Sequence, residues 1–139
     1  MMKTTWFTTT AALTLLFAYT ATSAPVTKEC TGIDILYPKE GASFSKSERE
    51  TIYLILGNKA HDARLDKVSL INPSDNTEIG DPVWTMMDEK DRLSKVMVLQ
   101  QDLKPVEDSS LPEKFSFRIQ VEQDEKQCIY ESPLFELTQ

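Results

Sequence analysis

Apolar residues recur at every second position through much of this chain, in short runs broken by turn formers. The clearest run is Phe115-Ser116-Phe117-Arg118-Ile119-Gln120-Val121-Glu122, where four apolar residues alternate with polar ones and predict a strand with one wet face. Gln123-Asp124-Glu125-Lys126 then reads as a hairpin loop that brings Cys128-Ile129-Tyr130 back antiparallel. Pro133 has no ladder donor, so Leu134-Phe135-Glu136-Leu137 is expected to continue the edge past a bulge or a switch of sheet. Upstream, Ile33-Asp34-Ile35-Leu36-Tyr37 opens the series and is stopped by Pro38 and Gly41. The almost continuously apolar Thr51-Ile52-Tyr53-Leu54-Ile55-Leu56 predicts a central strand covered on both faces, with Tyr53 buried.

Lys67-Val68-Ser69-Leu70-Ile71 places Val68 and Leu70 on one face and runs into Asn72-Pro73-Ser74-Asp75-Asn76, which requires a reversal. A short piece around Val83-Trp84-Thr85-Met86 and a strand over Leu93-Ser94-Lys95-Val96-Met97-Val98-Leu99 complete the set. No long helical period competes. The reading is an all-β fold, an immunoglobulin/fibronectin-like antiparallel sandwich of about seven strands, because short strands with one apolar face must bury it against a second sheet.

The first residues follow a different pattern. Met1-Met2-Lys3, an apolar stretch from Ala11 to Ala18, and the small residues Ala21-Thr22-Ser23-Ala24 have the order of a secretory signal. Cleavage after Ser23 keeps Pro25 away from the scissile bond. Residues 1–23 are therefore read as a signal peptide and 24–139 as one secreted domain. A spanning helix needs roughly 20 apolar residues, more than this stretch has, and the C-terminal residues lack a lipid-anchor pattern. The expected location is extracellular, with no membrane anchor. Cys30 and Cys128 both lie in the secreted part, and an even count in an oxidising compartment predicts that they pair.

Charge and chemistry narrow the function. Lys+Arg number 15 against 22 Asp+Glu, a net charge of −7, and loss of Lys3 with the signal makes the domain more acidic still. Such a surface repels a phosphate backbone, which argues against a nucleic-acid partner. The four glycines have neither the context of a phosphate loop nor that of a nucleophile elbow. His61, the only histidine, reads as an exposed loop residue, and two cysteines with one histidine do not make a zinc shell. No cofactor, metal or catalytic residue is assigned. Asp88, Glu89 and Asp91 alternate with Lys90 and Arg92, the composition of a solvated loop. Trp84, Tyr37 and Tyr130 are candidate ligand contacts, since flat amphipathic rings suit recognition surfaces, although packing is the favoured role for Trp84. Asn72 is followed by Pro, so no N-glycosylation sequon exists.

The ordered motifs Tyr37-Pro38-Lys39-Glu40-Gly41, Val68-Ser69-Leu70 and Tyr130-Glu131-Ser132-Pro133-Leu134-Phe135 resemble a fungal module. It is the N-terminal immunoglobulin-like domain of the yeast killer-toxin-resistance cell-wall synthesis proteins, also found in Ser/Thr-rich GPI-anchored surface proteins. The resemblance runs over residues 33–137. It implies a secreted, non-enzymatic, wall-associated binding or structural protein linked to β-1,6-glucan and wall assembly, with cell-wall polysaccharide or an extracellular protein as partner. This chain departs from the family in having no Trp in the second strand and no Ser/Thr-rich tail. Two alternatives stand beside it: a small secreted enzyme acting on glycans through two carboxylates, and a secreted effector or inhibitor that binds a foreign protein through a strand edge.

Overall fold

The computed structural model describes residues 30–85 and 93–139. The signal segment and the Asp88, Glu89, Asp91 cluster lie outside the described residues. Among the described residues ten strands form two sheets: β1 Ile33–Tyr37, β2 Ser43–Ser45, β3 Thr51–Asn58, β4 Ala63–Asn72, β5 Thr77–Glu78, β6 Trp84–Thr85, β7 Val96–Asp102, β8 Glu113–Gln123, β9 Lys126–Glu131 and β10 Phe135–Thr138. One sheet has the order β1-β3-β7. The other runs β2-β10-β8-β4-β5, with β6 also on β4 and β9 also on β8. Among the described residues a single 3₁₀ turn, Asp108–Ser110, is the helical exception.

Because β9 and β10 lie along one edge of β8, and β5 and β6 along one edge of β4, each pair acts as a single interrupted strand. With the three-residue β2 left out of the count, the first, second and fifth strands (β1, β3 and β7) then face the last strand, its neighbour, the third strand and the fourth, an edge strand. That is the Greek-key order of an immunoglobulin-like sandwich. Every pairing is antiparallel except β10 with β2. The count exceeds seven because β2 and β5 are too short to leave a periodic signature in the sequence.

The core fills the gap between sheets. From the three-stranded sheet come Ile52, Leu54, Leu56 and Leu99; from the other, Leu65, Val68, Leu70, Phe117, Ile119, Val121 and Leu137. At one end Phe44, Phe115, Phe117 and Phe135 make a ring cluster with centroids 5.4 to 6.5 Å apart. Such contacts add to the area each ring buries. β4 changes parity at a bulge between Leu65 and Lys67, so Ala63 and Leu65 before it and Val68 and Leu70 after it all point inward. β9 and β10 are offset by one residue: Arg118 pairs with Glu131, whereas Phe115 pairs with Phe135. The edge therefore continues on the same sheet past a bulge around Pro133. Ser132 bridges the gap, its hydroxyl accepting from Phe117 N–H at 2.8 Å and donating to Pro133 O at 2.9 Å.

The hairpin between β8 and β9 is a two-residue turn, since Gln123 pairs with Lys126. Asp124 and Glu125 both have positive φ, 47° and 63°, the geometry that matches strand twist in a tight hairpin. Cys30 and Cys128 form a disulfide that ties the chain just ahead of β1 to β9 in the opposite sheet. Gln123 reinforces this junction by donating to Thr31 O at 2.8 Å and accepting from the Tyr130 hydroxyl.

One expectation fails on β3. The other sheet covers only one of its faces: Ile52, Leu54 and Leu56 are buried, while Tyr53 is 47% exposed. The apolar run marks a strand that is wet on its second side.

Candidate recognition surface

The two outer faces of the sandwich differ in kind. On the larger sheet, polar side chains close over most of the strands, with Ile129 the exposed apolar exception among the described residues. Lys67 Nζ contacts both Glu78 oxygens at 2.7 and 2.8 Å, and Arg118 reaches Glu131 at 2.9 Å and Asn76 at 2.5 Å. Gln127 adds a bond to Asp66 at 2.7 Å. Ser69 and Ile71 are only 3% and 1% exposed, yet both face away from the inter-sheet core. The register places Arg118 opposite Ser69 and Glu78 opposite Ile71, so this polar lattice shields them.

On the smaller sheet the central outward positions are apolar and open. β3 contributes Tyr53, Ile55 and Gly57, and β7 contributes Val98 opposite Ile55 and Val96 opposite Gly57. Val96 and Val98 are each 59% exposed. Leu36 of β1 lies over Gly57, where an added Cβ would stand 3.4 Å from its Cδ1. Leu36, Tyr53, Ile55, Val96 and Val98 thus share one surface of adjacent strands rather than being scattered singly, which is the arrangement that marks an interaction site. Polar groups rim it. Asp34 holds Lys59 at 2.7 Å, and this contact raises the Lys59 pKa above its ordinary value. Gln100 donates to Thr51 Oγ1 at 3.1 Å across the opposite end.

The aromatic residues singled out from sequence lie elsewhere. Tyr37 packs against Phe44 with ring centroids 5.8 Å apart. Tyr130 leans on the core from β9, and burial raises its pKa against the opposing hydrogen bond to Gln123. Trp84 packs onto the core from β6, with its buried indole N–H unpartnered among the described residues. The three belong to different strands, and each is half-buried against the interior. The sequence reading misses this surface because it places Tyr53 and Ile55 in a strand covered on both faces and assigns no face to Leu36, Val96 or Val98. The available signal was the alternation of Val96 and Val98, which puts both on the same side of β7.

One depression of about 440 Å³ is lined by Asp62, Arg64, Glu122, Asp124 and Glu125, and three of its four acids are exposed. His61 is exposed, 3.5 Å from the Asp62 carboxylate. Among the described residues no group of three or more His, Cys, Asp or Glu side chains could hold a metal ion. No described helix is long and apolar enough to cross a membrane.

No family model matches the chain, and no curated protein matches it. A solved structure of murine CRIg is similar over 78% of this chain and 98% of its own, at 9% identity and a TM-score of 0.46. At that level of likeness the sandwich assignment rests on the strand order alone. The molecule is a small, disulfide-linked, immunoglobulin-like domain with no catalytic arrangement among its described residues.

Proposed function

We propose that this chain is a secreted, non-catalytic recognition module that works at the cell wall, where it binds another protein through the outer face of the three-stranded sheet. The observation that carries this reading is the open surface of Leu36, Tyr53, Ile55, Val96 and Val98. The wall setting comes from the resemblance of residues 33–137 to the fungal cell-wall synthesis domain. The chemistry of the face favours a protein over a polysaccharide: pyranose rings stack on flat aromatic faces, and here one tyrosine stands among branched aliphatic chains. Aliphatic side chains lose nothing to unmade hydrogen bonds when a dry protein surface covers them.

The test is capture of wall proteins on the immobilised oxidised domain, compared with a Tyr53→Ser/Val98→Ser variant. Saturable capture of a distinct wall protein, reduced at least tenfold by the variant, is the expected result. Equal capture by both forms would overturn the assigned face. Retention on insoluble glucan or chitin above an albumin control, with no protein captured, would move the reading to a polysaccharide ligand.

A further inference from the structure

β7 bounds the three-stranded sheet, and no described strand pairs with its outer edge. The ladder determines which backbone groups lie there. Asn58 N–H donates to Lys95 O at 2.8 Å and Leu103 N–H to Glu50 O at 2.9 Å, and the register between them is unbroken. Lys95, Met97, Leu99, Gln101 and Leu103 therefore turn their amides and carbonyls toward β3, because hydrogen-bonded pairs alternate in an antiparallel ladder. Val96, Val98, Gln100 and Asp102 turn theirs outward. The same four residues carry their side chains on the open face.

The other edges are guarded in the ways that prevent strand addition. β1 is broken by a bulge between Ile35 and Tyr37 and runs into Pro38. β2 has three residues, and β5 and β6 have two each. β9 is charged at both ends, by Lys126 and Glu131. β7 has seven residues, with no bulge, no proline and a single charge, Asp102, at its end.

We propose that β7 is a self-association edge: two copies of this chain pair antiparallel along it, about a two-fold axis at Val98, and join their sheets into one of six strands. A second copy is singled out because the outward residues of this edge pair with their own copies without a charge clash. Residues directly opposite in an antiparallel pair share a face, so the outward residues meet only one another. With the axis at Val98, that residue exchanges both backbone bonds with its own copy, and Val96 does so with Gln100. Asp102 falls opposite Ser94, and the two Asp102 carboxylates lie at opposite ends. An axis at Leu99 would instead set Asp102 against Val96. In a chain of net charge −7, this edge meets its own copy without opposing like charges. Pairing also merges the two apolar faces into one.

Edge pairing alone covers less area than a standard interface, so the association is weak and concentration-dependent. Sedimentation equilibrium of the oxidised secreted protein, from about 10 μM to about 1 mM, tests it together with amide exchange by NMR. The wild type is expected to approach a dimer as concentration rises, with protection growing at the amides of Val96, Val98 and Gln100. Val98→Pro removes a donor that faces away from β3 and so spares the sheet; Val98→Lys adds a charge to the axis. Both are expected to weaken dimerisation at least tenfold with an unchanged far-UV spectrum, and if Val98→Pro fails to fold, Val98→Lys carries the test. A wild type that stays monomeric throughout overturns the proposal, as does a Val98→Lys protein that dimerises like the wild type. Slow exchange of those three amides at every dilution also overturns it, because the edge would then be closed within one chain. A monomer that still captures a wall protein would leave the proposed function standing.

Discussion

Glu125 holds a left-handed backbone conformation that a side chain disfavours, and it does so beside Asp124 in the same condition. Aspartate tolerates this region better than glutamate, and glycine tolerates it best. Glu125→Gly is expected to stabilise the domain by about 0.5–1 kcal/mol, the relief of strain exceeding the added freedom of the unfolded chain. Urea denaturation should show a higher midpoint with an unchanged slope. Tyr130 offers a pH-dependent counterpart. Burial raises its phenol above the ordinary value of 10.0, so the fold favours the neutral form. Its contribution is fully present below pH 10 and is lost as pH rises through the folded value, because the unfolded chain ionises first. Tyr130→Phe is expected to flatten the alkaline fall in stability, which denaturation midpoints measured across that range would reveal.

At the scale of elements, the β9–β10 edge depends on one hydroxyl. Ser132→Ala leaves the buried Phe117 N–H without its acceptor and is expected to cost about 1–3 kcal/mol, measurable as a lower thermal or urea midpoint. This edge also shows where the sequence was informative. The perfect alternation from Phe115 to Val121 gave away β8, and Pro133 required an interruption of its partner. β4 was legible only in its second half, because the bulge reverses parity and disguises Ala63 and Leu65. β7 lies about three residues beyond its expected start, since Leu93 is a buried residue outside the strand. The candidate surface was hidden for a related reason. A run such as Ile52 to Leu56 reads alike whether a second layer covers both faces or leaves one to a partner, and only the sheet order distinguishes these cases.

Over the whole molecule, the disulfide closes a loop of 98 residues and joins the two sheets. Replacing both cysteines by alanine is expected to cost about 2–5 kcal/mol, mainly by releasing the unfolded chain from that closure. Equilibrium unfolding of the oxidised wild type against the double variant measures it. The loss is expected to leave the outer sheet faces intact wherever the variant still folds, because neither cysteine contributes to them. Capture of a partner by the folded variant would then match that of the wild type.

The contrast between the ion-paired lattice of one face and the bare aliphatic side of the other makes the domain a two-sided particle. At an air–water or oil–water boundary it should adsorb in a single orientation, aliphatic side toward the nonpolar phase, and lower the interfacial tension. Added salt should act on the two sides in opposite senses, screening Lys67–Glu78 and Arg118–Glu131 while promoting burial of the valine side when the anion is sulfate.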